Sequence, residues 1–156
     1  MSVEAVFGKT RQILKVDITT GDFVTPREIE YRFRLMFEDR AISIMAYNLE
    51  TILAEKIEAI IARSTTNTRT RDFYDIFILT TTQTFDVDIF KAALRKTVEK
   101  RGTAEQLMDA AETMRMVEGS SIMAGLWQRY QKKYAYAADI TWGMAIDAAK
   151  ALIAKA

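Results

Sequence analysis

The chain has 156 residues, of which 49% are hydrophobic and 28% charged, with a formal net charge of +1. That length is enough for one domain with a real core, or for a small sheet carrying a helical bundle, and the near-neutral charge means that any nucleic-acid contact needs a local basic patch. Cysteine and histidine are both absent, which excludes disulfides, thiol catalysis, zinc–thiolate sites and histidine-based triads, and leaves a hard cation such as magnesium, held by carboxylates, as the metal to expect.

The first 46 residues read as β-rich. Residues 12–19 predict a strand, with Leu14, Val16 and Ile18 on one face and Lys15, Asp17 and Thr19 on the other; Gly21 and Asp22 end it, and Pro26 lies in the connection. Residues 28–38 alternate, placing Ile29, Tyr31, Phe33, Leu35 and Phe37 on one side and charged residues on the other, the pattern of a half-buried strand. A turn at Asp39-Arg40 then leads to the apolar run 41–45 as a hairpin partner.

Everything after Tyr47 reads as helical. Asn48 is the expected N-cap of a helix whose stripe is Leu49, Ile52, Leu53, Ile57, Ile60 and Ile61, ending near Arg63. A polar break at residues 64–68 precedes a second helix over 72–79. Further helices are predicted over 86–100, 104–118, 121–136 and 142–155, with Gly102 and Gly119 marking two of the breaks. The expected architecture is α+β: residues 1–46 form a small antiparallel or mixed sheet, and residues 47–156 a helical domain of about five or six helices. No signal pattern and no apolar run of membrane-spanning length is found, so a cytoplasmic location is the default expectation.

Several polar residues fit this scheme poorly. Lys56 lies one turn from both Ile52 and Ile60, on the stripe that should be buried; it either snorkels from the edge of that stripe or faces a cleft. Arg63 is two turns further along the same face, and Arg69, Arg71, Asp72 and Asp75 follow within a short span. Asp72 and Asp75, spaced i, i+3, share a helix face. They serve as a helix-dipole group and an ion-pair partner of Lys56 or an arginine, or they orient Lys56 and an arginine toward a bound phosphate; both can hold together. Asp17 is a solvated residue near a strand end or a metal carboxylate, and Asp22 belongs to a turn. Trp127, Tyr130, Tyr134 and Tyr136 recur near helical spacing, as bundle core or as a docking surface.

Some chemistries are excluded. Glu55 and Lys56 are adjacent and helical, unlike the Glu-x-Lys strand of a PD-ExK nuclease, and neither a P-loop nor a dinucleotide-binding glycine fingerprint is present.

The segments "LKVDITTGD", "AYNLETILAEKIEAIIAR" and "NTRTRDFYDIF" together resemble the AbiEii/AbiGii nucleotidyltransferase toxin family. These are bacterial proteins of abortive-infection and toxin–antitoxin systems, with a DNA polymerase β-like nucleotidyltransferase domain followed by a helical one. The resemblance covers nearly the whole chain, and its specific part lies between Leu14 and Phe77. It implies that Asp17 is the third carboxylate of a magnesium site and that Lys56 contacts nucleotide phosphate. It also implies that Asp72, with Arg69 or Arg71 and with Asp75, completes the nucleotide pocket and positions Lys56. Asp17, Lys56 and Asp72 are thus the expected catalytic residues.

The family's Gly-Ser element and Asp-x-Asp pair do not precede Asp17 in this sequence, and Asp86-Val87-Asp88 lies too late to replace the pair. The expectation is therefore the C-terminal portion of an enzyme that moves a nucleoside monophosphate from an NTP to an acceptor hydroxyl, such as that of a tRNA end, the chain itself being inactive. A sheet of this kind leaves an open edge, through which self-association is expected. The alternative is a non-catalytic helical module that binds a protein or RNA partner.

Overall fold

The computed structural model describes every residue except Asp17, Thr19, Thr20 and Asp22. The readings of Asp17 as a metal carboxylate and of Asp22 as a turn residue lie outside the described residues. Among the rest, two β-hairpins precede seven α-helices, the α+β arrangement expected.

The first hairpin joins β1 (Ser2–Phe7) to β2 (Thr10–Lys15), with Val3 opposite Leu14 and Phe7 opposite Thr10. Gly8 turns the chain with a φ of 59°, a conformation glycine adopts without steric cost. Sequence reading missed β1, and the described part of its partner ends at Lys15 instead of continuing through Ile18. The second hairpin joins β3 (Ile29–Arg34) to β4 (Ala41–Ala46), with Tyr31 opposite Ile44 and Phe33 opposite Ile42. The strand expected over residues 28–38 is shorter than its alternation suggested, because Leu35 N–H donates to Arg40 O at 3.0 Å and closes the connection there. Phe37, placed on the apolar face by alternation, is almost fully exposed in that connection.

Residues 28–38 were expected to be half-buried, yet every residue of β3 is exposed, and Ile29, Tyr31 and Phe33 keep 43–51% of their surface in solvent. The cause is the topology: one small sheet was expected, whereas the strands form two separate two-stranded sheets. Each strand packs chiefly on its own hairpin partner.

The core belongs to the helices. Helix α1 (Leu49–Arg63) begins at the expected cap, where Asn48 Oδ1 accepts from Thr51 N–H. Leu53, Ile57 and Ile60, four and three residues apart, are fully buried, so the apolar stripe drives the helix into the centre of the bundle. Asn48 Nδ2 donates to Thr25 O at 2.7 Å and Thr25 N–H donates to Thr51 Oγ1 at 3.0 Å, tying the preceding segment to this helix.

Helix α2 (Thr70–Thr82) is longer at both ends than the predicted 72–79. Helix α3 (Val87–Arg101) is capped by Asp86 and ends at Gly102, whose φ of 66° is left-handed. Where one helix was expected over 104–118 there are two, α4 (Ala104–Met108) and α5 (Ala110–Gly119), separated at Asp109 although no glycine or proline marks the junction. Helix α6 (Ser121–Lys133) stops before the predicted residue 136, because Trp127 Nε1 bonds Ile140 O at 2.9 Å and Gln131 Nε2 bonds Ala138 O and Ile140 O, folding the following turn back on the helix. Helix α7 (Trp142–Ile153) completes the bundle. Helix α1 packs on α3 and α2, and α2 on α7, where the Phe73 and Trp142 rings meet edge to face at 5.1 Å. Among the described residues no helix is long and apolar enough to cross a membrane.

Candidate nucleotide site between helices α1 and α2

Helix α1 ends at Ser64, whose N–H donates to Ile60 O, and a single 3-10 turn over Ser64–Thr66 reverses the chain. Asn67, fully buried, then fixes the entry to α2 by accepting from Arg69 N–H at 2.9 Å. This short reversal lays the first turns of α2 against the face of α1 that carries Lys56.

Lys56 Nζ donates to Asp72 Oδ1 at 3.2 Å and to Asp75 Oδ2 at 2.6 Å. All three side chains are mostly buried, with Lys56 21% exposed, so the pair of carboxylates compensates a cation that water reaches poorly. The i, i+3 spacing of the two aspartates is what aims both at one ammonium group. Asp72 also lies in the first turn of α2, where negative charge complements the helix dipole, although it does not cap the helix. Arg71, 76% exposed, approaches Asp75 from outside at 3.7 Å.

A second clamp went unread in the sequence. Glu58, its side chain only 4% exposed, accepts from Arg101 Nη1 and from Thr103 Oγ1, the latter at 3.0 Å, and Arg101 also lies 3.8 Å from Glu55. The available signal was Glu58 itself, a carboxylate inside the apolar run Ile57 to Ile61, which predicts a buried partner but not its identity.

Between the two clamps lies a cleft of about 490 Å3, within the usual range of small-molecule sites. Lys56, Arg63, Arg69 and Arg101 line it together with Glu55, Glu58 and Asp72. Lys56 and Arg101 are engaged by carboxylates. Arg63 differs: its Nη1 is buried and, among the described residues, has no hydrogen-bond partner. Of the predicted residues, Lys56, Arg69 and Asp72 line this cleft together with Arg63, while Asp75, bonded to Lys56, and Arg71 line the cavity on the neighbouring face.

Among the described residues no group of three or more acidic side chains could hold a metal ion, and the two aspartates nearest the cleft are directed at Lys56. Asp86 of the Asp-x-Asp sequence at 86–88 caps the N-terminus of α3, accepting from Asp88 N–H and Ile89 N–H.

No curated protein and no solved structure matches this chain. Residues 1–151 match the family described as nucleotidyl transferase AbiEii toxin, type IV TA system. With nearly its whole length matched, the chain belongs to the AbiEii nucleotidyltransferase toxin family.

Proposed function

We propose that the α1/α2 cleft binds the phosphates of a nucleoside triphosphate, with Arg63 and Arg69 as the anion-binding groups and Lys56, Asp72 and Asp75 as the bridge that positions them. The observation carrying this reading is Arg63, a cleft-lining arginine whose buried Nη1 has no hydrogen-bond partner among the described residues. Buried donors of that kind are rare, and a phosphate oxygen is the acceptor a guanidinium fork matches best.

Family membership supports the reaction. The acceptor hydroxyl oxygen bonds to the α-phosphorus of the NTP, the bond from that phosphorus to the pyrophosphate oxygen breaks, and the hydroxyl proton is released. An RNA end such as that of tRNA is the acceptor by family analogy, and a cognate antitoxin is the protein partner implied by a toxin–antitoxin family. A magnesium-ligand role for Asp17 rests on the resemblance alone. NTP binding is the property through which the cleft assignment is tested.

Calorimetric titration with a non-hydrolysable NTP tests the cleft. Saturable binding is expected, weakened about ten- to a hundredfold by Arg63→Gln, the loss of one charged hydrogen bond. An unchanged Kd in that variant would refute the assignment.

One observation favours the second reading, a binding module without catalysis. Lys56 spends two of its three donors on pinning α2 to α1, which is a structural use of a lysine. If that is its whole role, Lys56→Met lowers stability and leaves triphosphate affinity unchanged. In either reading the hairpins offer open edges, and self-association through them is proposed.

A further inference from the structure

Lys56, Arg69 and Asp72 form a wall with a cavity on each side. The far cavity, about 640 Å3, is floored by Tyr130 and Tyr134 and rimmed by Arg69, Arg71, Arg129 and Lys133. Among the described residues its only acids are Asp72 and Asp75, both already paired with Lys56. The rim is therefore a local basic patch on a chain whose net charge is only +1.

The tyrosines continue beyond the floor. Tyr134 and Tyr136 stack with centroids 5.3 Å apart and planes inclined by 23°, Tyr74 lies 4.8 Å from Tyr136, and Tyr130 lies 4.8 Å from Tyr134. Lys133 Nζ stands 5.2 Å from the Tyr134 ring centre. Core packing accounts for Tyr130, which is buried, but not for Tyr136, which is 55% exposed. A half-exposed ring, Tyr136, stacked on the partly buried Tyr134 beside a group of cations suits a strand of unpaired nucleotides, since a base can stack on the aromatic pair and phosphates can meet the basic side chains.

We propose that this α2/α6 groove binds single-stranded nucleic acid, with a base stacked on the Tyr134–Tyr136 pair and the backbone following Arg129, Lys133 and Arg71. Acidic peptide satisfies the cations but makes no use of exposed ring faces, and a duplex keeps its bases stacked internally. The inference does not require the NTP reading. A strand in the groove nonetheless runs past the same wall that bounds the nucleotide cleft.

Fluorescence anisotropy of the full chain with labelled eight-nucleotide single strands, RNA and DNA in parallel, tests it. Saturable binding of either supports the proposal, and the tighter of the two names the sugar. Tyr136→Ala is expected to weaken binding about tenfold, while Tyr136→Phe, which keeps the ring, binds within about twofold of the unaltered chain. Arg129→Gln and Lys133→Gln should each reduce the slope of log affinity against log salt by about 0.7. Thermal melts of each variant establish that it is folded. The proposal is overturned by absent binding at low salt, by a folded Tyr136→Ala that binds as well as the unaltered chain, or by equal affinity for a blunt duplex or for oligoglutamate. The probe carries no triphosphate, so its failure leaves the NTP reading standing, and failure of the NTP titration leaves this proposal standing.

Discussion

Tyr130 holds its proton unusually firmly. Burial is the main cause; the hydrogen bond to the Tyr136 hydroxyl at 3.1 Å and the negative charge of Asp75 push the same way, against a smaller opposite effect of Arg71. Its ionisation is thereby raised above the ordinary phenol value of 10.0. The folded chain then binds this proton more tightly than the unfolded chain, so the associated stability is intact below the ordinary value and declines as pH rises above it. Melting temperature should fall between about pH 10 and 11.5, with up to a tenfold loss in folding equilibrium per pH unit. Tyr130→Phe should flatten that decline, and an identical pH profile for the variant would show that Tyr130 does not cause it. Residues of this sort differ in how far the sequence announces them. Lys56, Asp72 and Asp75 were visible because a cation on an apolar stripe and two acids at i, i+3 are local patterns. The Glu58–Arg101 clamp was not, since its partners are 43 residues apart and nothing local selects Arg101 from the other basic residues.

At the scale of elements, the Lys56 bridge determines how α2 sits on α1. Lys56→Met would leave Asp72 and Asp75 facing each other at the cleft wall without their shared cation. Full burial of an orphaned charge costs 3–5 kcal/mol; with these side chains 14–21% exposed, a loss of about 2 kcal/mol is expected. Urea unfolding measures it directly, and a change below about 0.5 kcal/mol would mean that the bridge is formed at no benefit to the fold. Helix positions were largely readable because the apolar stripe of α1 and the capping residues Asn48 and Asp86 are sequence-local. The division of α4 from α5 and the early end of α6 were not, because they follow from contacts across the bundle, such as Trp127 with Ile140. Strand alternation likewise identified β3, and the apolar run after Asp39-Arg40 its partner β4, but the half-burial that alternation predicted is not found, because coverage of a face depends on what packs against it.

The whole molecule has its buried hydrophobic side chains in the helices and the loops between them, and its exposed ones concentrated in the hairpins. On β3 and β4, Ile29, Tyr31, Phe33, Ile42 and Ile44 share one face and all remain at least 43% exposed. A lone two-stranded hairpin is marginally stable in water, and three or more strands with a covered face are needed before such a sheet holds by itself. We propose that the hairpin of a second copy packs on this apolar face and removes it from water, with the open edges available for strand pairing. Sedimentation velocity should therefore show weight-average mass rising with concentration. Phe33→Lys puts a charge in the middle of that face and should return the chain to a monomer, with a melting temperature within a few degrees of the original because Phe33 lies outside the hydrophobic core of the helices. A profile that stays monomeric at high concentration, or a Phe33→Lys variant that associates as strongly as before, would exclude this face as the contact between copies.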